Sequence, residues 1–118
     1  MSAETALRAL LVADAPVAAL VSTRIAADRI EQGAARPFIC YTRTASAPVV
    51  ALDGTHLKTL VSLDVQCWAD SRASADAVAD AVTTAVRGVI SQSVVGRSSA
   101  YDADLDVEGA IVSVSWWE

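Results

Sequence analysis

The chain has 118 residues, a formal net charge of −5 and 53% hydrophobic residues, yet only 5% aromatic ones. That length buries one core and is too short for two, and a thin core of Ala, Val and Leu points to a protein steadied by oligomerisation. Nine basic residues, dispersed among fourteen acids, argue against a surface whose main work is gripping phosphates. No stretch reaches the roughly 18–20 apolar residues of a membrane-spanning helix. Glu4, Arg8 and Asp14 interrupt the apolar first twenty residues and no basic segment precedes them, so no secretory signal is expected and synthesis is expected in the cytoplasm.

An amphipathic helix opens the chain over Thr5–Leu20, with Leu7, Leu10 and Leu11 near one face. Asp14-Ala15-Pro16 reads as a break and restart, because Asp caps a new helix and Pro is tolerated in its first turn. From Ser22 to Arg36 periodicity is lost, and a long loop is expected there. Phe38–Thr44 alternates, and Leu60–Trp68 alternates more cleanly, with Val61, Leu63, Val65 and Cys67 on one face. Asp53-Gly54 between them is a two-residue hairpin signal that needs positive φ. Counting outward from that turn pairs Arg43 with Asp64, Tyr41 with Gln66, Ile39 with Trp68 and Cys40 with Cys67. Pro48 cannot donate to a ladder, so pairing is expected to stop before it and to leave Ala45–His56 as an arm or flexible loop.

Ser71 caps a second long helix, Ser71–Ile90, whose Ala75, Val78, Ala79, Val82, Ala85, Val86 and Val89 form a narrow stripe of small residues. Ser93–Ala100 is a weak strand interrupted by Gly96, and the last strand runs from Ala110 to Trp117. The order α, β, β, α, β, β predicts an α+β two-layer sandwich: a single domain over 1–118 with a mostly antiparallel four-stranded sheet and its helices on one face.

Chemistry finds little to use. His56 is the only histidine and falls in the hairpin tip, with no nucleophile placed beside it. Cys40 and Cys67 are expected opposite one another on the helix-covered side as two buried thiols, too few for a metal site. The run Asp102, Asp104, Asp106 and Glu108 lacks the glycine and spacing of a calcium loop; it reads as a solvated turn, or as an acidic surface that DNA passes without sticking. No cofactor, metal site or catalytic residue is expected. Ile39, Leu60, Trp68, Ile111 and Trp117 are expected on the sheet face that the helices leave bare, as an interface candidate. Tyr41, Arg43 and Asp64 complete the candidate contact residues.

Ser2–Leu11 followed by Ala18-Ala19-Leu20-Val21, Thr23-Arg24-Ile25, Pro37-Phe38-Ile39-Cys40-Tyr41, Ala51-Leu52-Asp53-Gly54 and Val65-Gln66-Cys67-Trp68-Ala69 before an Ala-rich helix form a recognisable series. It resembles the tail-completion, or tail-terminator, proteins of long-tailed phages, with relatives in gene transfer agents. The resemblance implies a non-enzymatic virion part assembled in a host cytoplasm, a hexameric ring of its own copies. That ring would cap the tail tube protein's finished tube, meet the head–tail connector and let DNA through its lumen without sequence-specific binding or a membrane. The short connection around Gly88–Gly96 departs from many members of the family. Two other classes fit the charge and size: a cytoplasmic adaptor and a small ligand-binding α+β domain, the latter needing a convergent polar pocket.

Overall fold

A computed structural model describes residues 3–21, 24–27, 37–88, 93–103 and 107–117. The opening helix is two helices, α1 (Ala3–Ala13) and α2 (Ala15–Val21), divided at Asp14. The Asp14 backbone N–H donates to Leu10 O at 3.1 Å, ending α1, and its Oδ1 accepts from Val17 N at 3.2 Å, starting α2. Ala3, Leu7 and Leu11 on α1 and Val17 and Val21 on α2 are buried. The third helix, α3 (Arg72–Arg87), begins at Ser71, whose extended backbone (φ −136°) and Oγ, accepting from Ser74 N at 3.2 Å, satisfy the first turn. Its buried stripe is all Ala and Val, so the helix lies close to the sheet. Val89 and Ile90 of the expected helix lie outside the described residues.

Five strands follow from the rest: β1 (Ile25–Ala27), β2 (Phe38–Val50), β3 (His56–Ala69), β4 (Ser93–Asp102) and β5 (Val107–Trp117), in spatial order β1-β2-β3-β5-β4. The sheet is therefore five-stranded and mixed, not four-stranded. The added strand, β1, lies in the stretch expected to be loop and pairs parallel to β2, Ile25 with Ile39. Ile39 N donates to Arg24 O at 2.9 Å, and Arg24 Nε to Pro37 O at 2.9 Å. Three residues, Ile-Ala-Ala, are too few to carry a period, so only these long-range bonds reveal the strand. Residues 22–23 and 28–36 of that expected loop lie outside the described residues.

One buried cluster joins the helices to the sheet, with Leu7, Leu11, Val17, Val78 and Val82 against Val61, Leu63, Val65, Val112 and Val114. Each such side chain contributes about 1.5–3 kcal/mol relative to an exposed one.

The β2–β3 register differs from the expected one in the body of the sheet. Ala45 pairs with Ser62, Ala47 with Leu60 and Val49 with Lys58, the pairing counted from the turn, but a bulge at Thr44 then shifts β2 by one residue. Arg43 consequently faces Leu63 and not Asp64, Tyr41 faces Val65 and Ile39 faces Cys67. The Thr44 hydroxyl caps the irregularity by donating to Ser62 O at 3.2 Å. Because side chains alternate, one residue of shift exchanges the two faces of β2. Ile39 and Tyr41 enter the helix-covered core, at 0% and 5% exposure, and Phe38 and Cys40 take the other face. Cys40 and Cys67 are both buried and not joined by a disulfide, on opposite faces of the sheet.

Candidate assembly surface

Pro48 does not stop the ladder. It pairs with Thr59, and the ribbon continues to Val50 opposite His56. Beside Pro48 the outer side of β2 is an edge among the described residues, where β1 pairs as far as Tyr41; a missing N–H costs nothing there. The hairpin closes through Leu52-Asp53-Gly54, a three-residue connection and not the two-residue one expected. Gly54 N donates to Ala51 O at 2.9 Å, Ala51 N to Thr55 O at 2.8 Å, and Gly54 has φ +89°. Asp53 Oδ1 accepts from Thr55 N at 2.9 Å, and hydrogen bonding from the Thr55 side chain first, and from its backbone N–H second, holds the carboxyl below its ordinary pKa.

Beyond Leu60, which pairs with Trp117 at the end of β5, the hairpin has no third strand among the described residues. It projects as an arm, and the described molecule is drawn out to 51 × 29 × 23 Å. Its radius of gyration is 14.8 Å, against about 13.5 Å for a compact chain of this length. The arm exposes apolar side chains along its whole length: Val49 41%, Val50 56%, Leu52 110% and Leu57 59%. Val49, Leu57, Lys58 and Trp117 line an open groove of about 630 Å³ where the arm leaves the sheet.

The sheet face opposite the helices continues from that groove. Leu60 and Trp117 stand at the arm end, and Phe38 and Trp68, a facing pair, at the other. Between them the face is polar: Ser113 Oγ donates to Asp64 Oδ1 at 3.1 Å, and Trp68 Nε1 to Gln66 Oε1 at 3.2 Å. Of the seven contact candidates from the sequence, Asp64, Trp68, Ile111 and Trp117 lie together here. Ile39 and Tyr41 do not, being buried under the helices. Arg43 sits on the helix side, where its Nε donates to Glu4 Oε1 at 3.1 Å, Nη2 reaches the same oxygen and Nη1 donates to Ser46 Oγ at 2.8 Å. The bulge that causes this has no sequence signature of its own. The sequence does not single out Val49, Leu57 and Lys58, because Pro48 argues for a loop where the ribbon in fact continues.

Asp102 ends β4 and Glu108 lies in β5, 3.8 Å from Arg72 Nε. Asp104 and Asp106 lie outside the described residues. On the helix side, Arg97 of β4 reaches Asp80 Oδ1 at 2.6 Å and Asp76 Oδ1 at 3.1 Å on α3. The described residues contain no group of three or more His, Cys, Asp or Glu able to hold a metal ion, and no helix among them is long and apolar enough to cross a membrane.

A chain from the virion of a native gene transfer agent (GTA) particle has a similar fold, with a TM-score of 0.74 at 20% identity over 97% of this chain and 92% of that one. No curated protein matches the sequence. The sequence profile described as "Tail completion protein gp17" matches residues 5–118. The chain belongs to the tail completion protein gp17 family, and so to the structural proteins of virion tails.

Proposed function

We propose that the protein closes the head-proximal end of a virion tail as a hexameric ring of its own copies, joining the tail tube to the head–tail connector and leaving a lumen for DNA. The observation that carries this reading is the family match over nearly the whole chain. The shape supports it. A cyclic ring needs two different, mutually complementary patches on every subunit, and the chain offers a projecting apolar arm and a sheet face opposite the described helices that ends in Trp117. A thin core of small side chains suits a subunit stabilised by its neighbours.

The chain's role is binding and shape, with no reaction to run. A net charge of −5 opposes adhesion to a polyanion, so DNA slides by without sequence-specific contact. Asp102, Asp104, Asp106 and Glu108 are the candidates for the lumen or the ring's end. Omitting the protein from assembling particles tests the reading. Tails that overgrow or never join heads are the expected result, and head-joined, DNA-filled particles of normal length overturn it.

A further inference from the structure

Leu52 is as exposed as a side chain can be, at 110%, and stands at the corner of a tight turn. That turn is fixed by two backbone hydrogen bonds and by the Asp53 carboxylate on Thr55 N. An apolar side chain held rigidly in water contributes nothing to its own fold, but it loses little entropy on docking. Beside it stands an exposed carboxylate. The groove formed by Val49, Leu57 and Trp117 has the opposite character at its rim. There stands Lys58, the only lysine in a chain of net charge −5, with no ion-pair partner among the described residues.

We propose that the arm tip of one copy seats in this groove on the next copy, with Leu52 against Val49, Leu57 and Trp117 and the Asp53 carboxylate on the Lys58 ammonium. The contact rests on the self-assembly put forward above and names its residues. Shape and charge fit together: a leucine followed by an acid meets an apolar groove bordered by a base. Leu52 is fully exposed, so the tip does not fold back into its own groove. A knob and a separate pocket on one chain make a head-to-tail contact, which repeats from copy to copy until it closes. Leu52 and Trp117 supply the anchor; the Asp53–Lys58 pair, exposed to solvent, sets orientation and encounter rate more than affinity.

A zero-length carbodiimide cross-link reads the contact directly, because Lys58 is the one side-chain amine available. Isotopically light and heavy chains are mixed at assembly concentration, coupled and analysed by mass spectrometry. A Lys58–Asp53 amide joining a light chain to a heavy one is the expected product. Its yield should fall at least about tenfold in Leu52→Asp, a loss of about 1.4 kcal/mol of contact energy, with the circular dichroism spectrum unchanged. Lys58→Gln should abolish it. Oligomers whose light–heavy links run from Lys58 to other carboxylates overturn this contact and leave the ring standing. Chains that stay monomeric and yield no light–heavy link overturn both.

Discussion

The indole of Trp68 lies across Gly109 so closely that a β-carbon on Gly109 would stand 2.7 Å from Cζ3 and 2.8 Å from Cε3. The two residues face each other across β3 and β5 on the side of the sheet opposite the helices. The glycine is there for space, and the ring fills that space. Gly109→Ala should therefore cost about 1–3 kcal/mol, the range for forcing extra volume into a packed site. Denaturant unfolding measures it, and Trp68→Leu in the same chain should recover part of the loss. An unchanged midpoint in Gly109→Ala would show that the indole has another place to go.

The turn at the arm tip carries a backbone prediction. Gly54 has φ +89°, and open space surrounds the site where a side chain would stand, so Gly54→Ala meets strain alone. The expected cost is about 1–2 kcal/mol. The Asp53 carboxyl, held low by its bond to Thr55, works in the same direction. A lowered folded pKa gives stability that is present above the ordinary value of 3.8 and lost as pH falls through the folded value. Acid should loosen the tip, read as a lower protection factor at the Thr55 amide after the intrinsic pH dependence of exchange is divided out, and Asp53→Ala should already show that lower protection at neutral pH.

Burial pushes the Cys67 thiol up to about 12 from its usual 9.0. The folded chain thus keeps a proton that the unfolded chain gives up above about pH 9. Stability is whole below pH 9 and falls by roughly 1.4 kcal/mol per pH unit between 9 and 12. Cys67→Ala should flatten that slope while lowering stability at neutral pH. Across the sheet from it, Cys40 faces the other way, so no Cys40–Cys67 disulfide should form in folded protein under mild oxidant. Non-reducing mass analysis after proteolysis checks this.

Arg43 ties β2 to α1 through Glu4, with both side chains about one-third exposed. A partly exposed pair with this geometry contributes at most about 1 kcal/mol. A double-mutant cycle of Arg43→Ala and Glu4→Ala should return a coupling of that size that shrinks with salt.

Helices and alternating strands were legible because their causes are local: the Asp14 and Ser71 caps, the Ala and Val stripe of α3, the period-two face of Val61 to Cys67. The bulge at Thr44 was not. It inserts one residue where the sequence, Thr-Arg-Thr-Ala-Ser-Ala, alternates weakly enough that either register places small or polar groups on both faces. The neighbouring helices settle it: Ile39 and Tyr41 join the same buried cluster as Leu7 and Leu11, and Arg43 reaches Glu4. β1 was hidden for a related reason, since a three-residue strand is held by its neighbour and not by its own pattern. The bare face was half legible. Trp68, Ile111 and Trp117 were placed on it by alternation, whereas the groove at the arm depends on a ribbon running through Pro48.

Trp117 is where these surfaces meet, 37% exposed at the end of β5, opposite Leu60 and on the wall of the groove. A charge there touches little of the helix-side core, because Trp116, its neighbour, is the residue that points into it. Trp117→Glu should thus leave a folded chain, with a melting temperature within a few degrees of the parent. It should abolish assembly by burying a carboxylate against Leu57 and Val49 of the groove. Trp117→Phe, which keeps the apolar area, should assemble. Particles made with each variant are imaged beside the parent. Tails that overgrow or lack heads with Glu, and normal particles with Phe, are the expected pair of results. Normal, head-joined, DNA-filled particles with Glu would remove this face from the assembly interface.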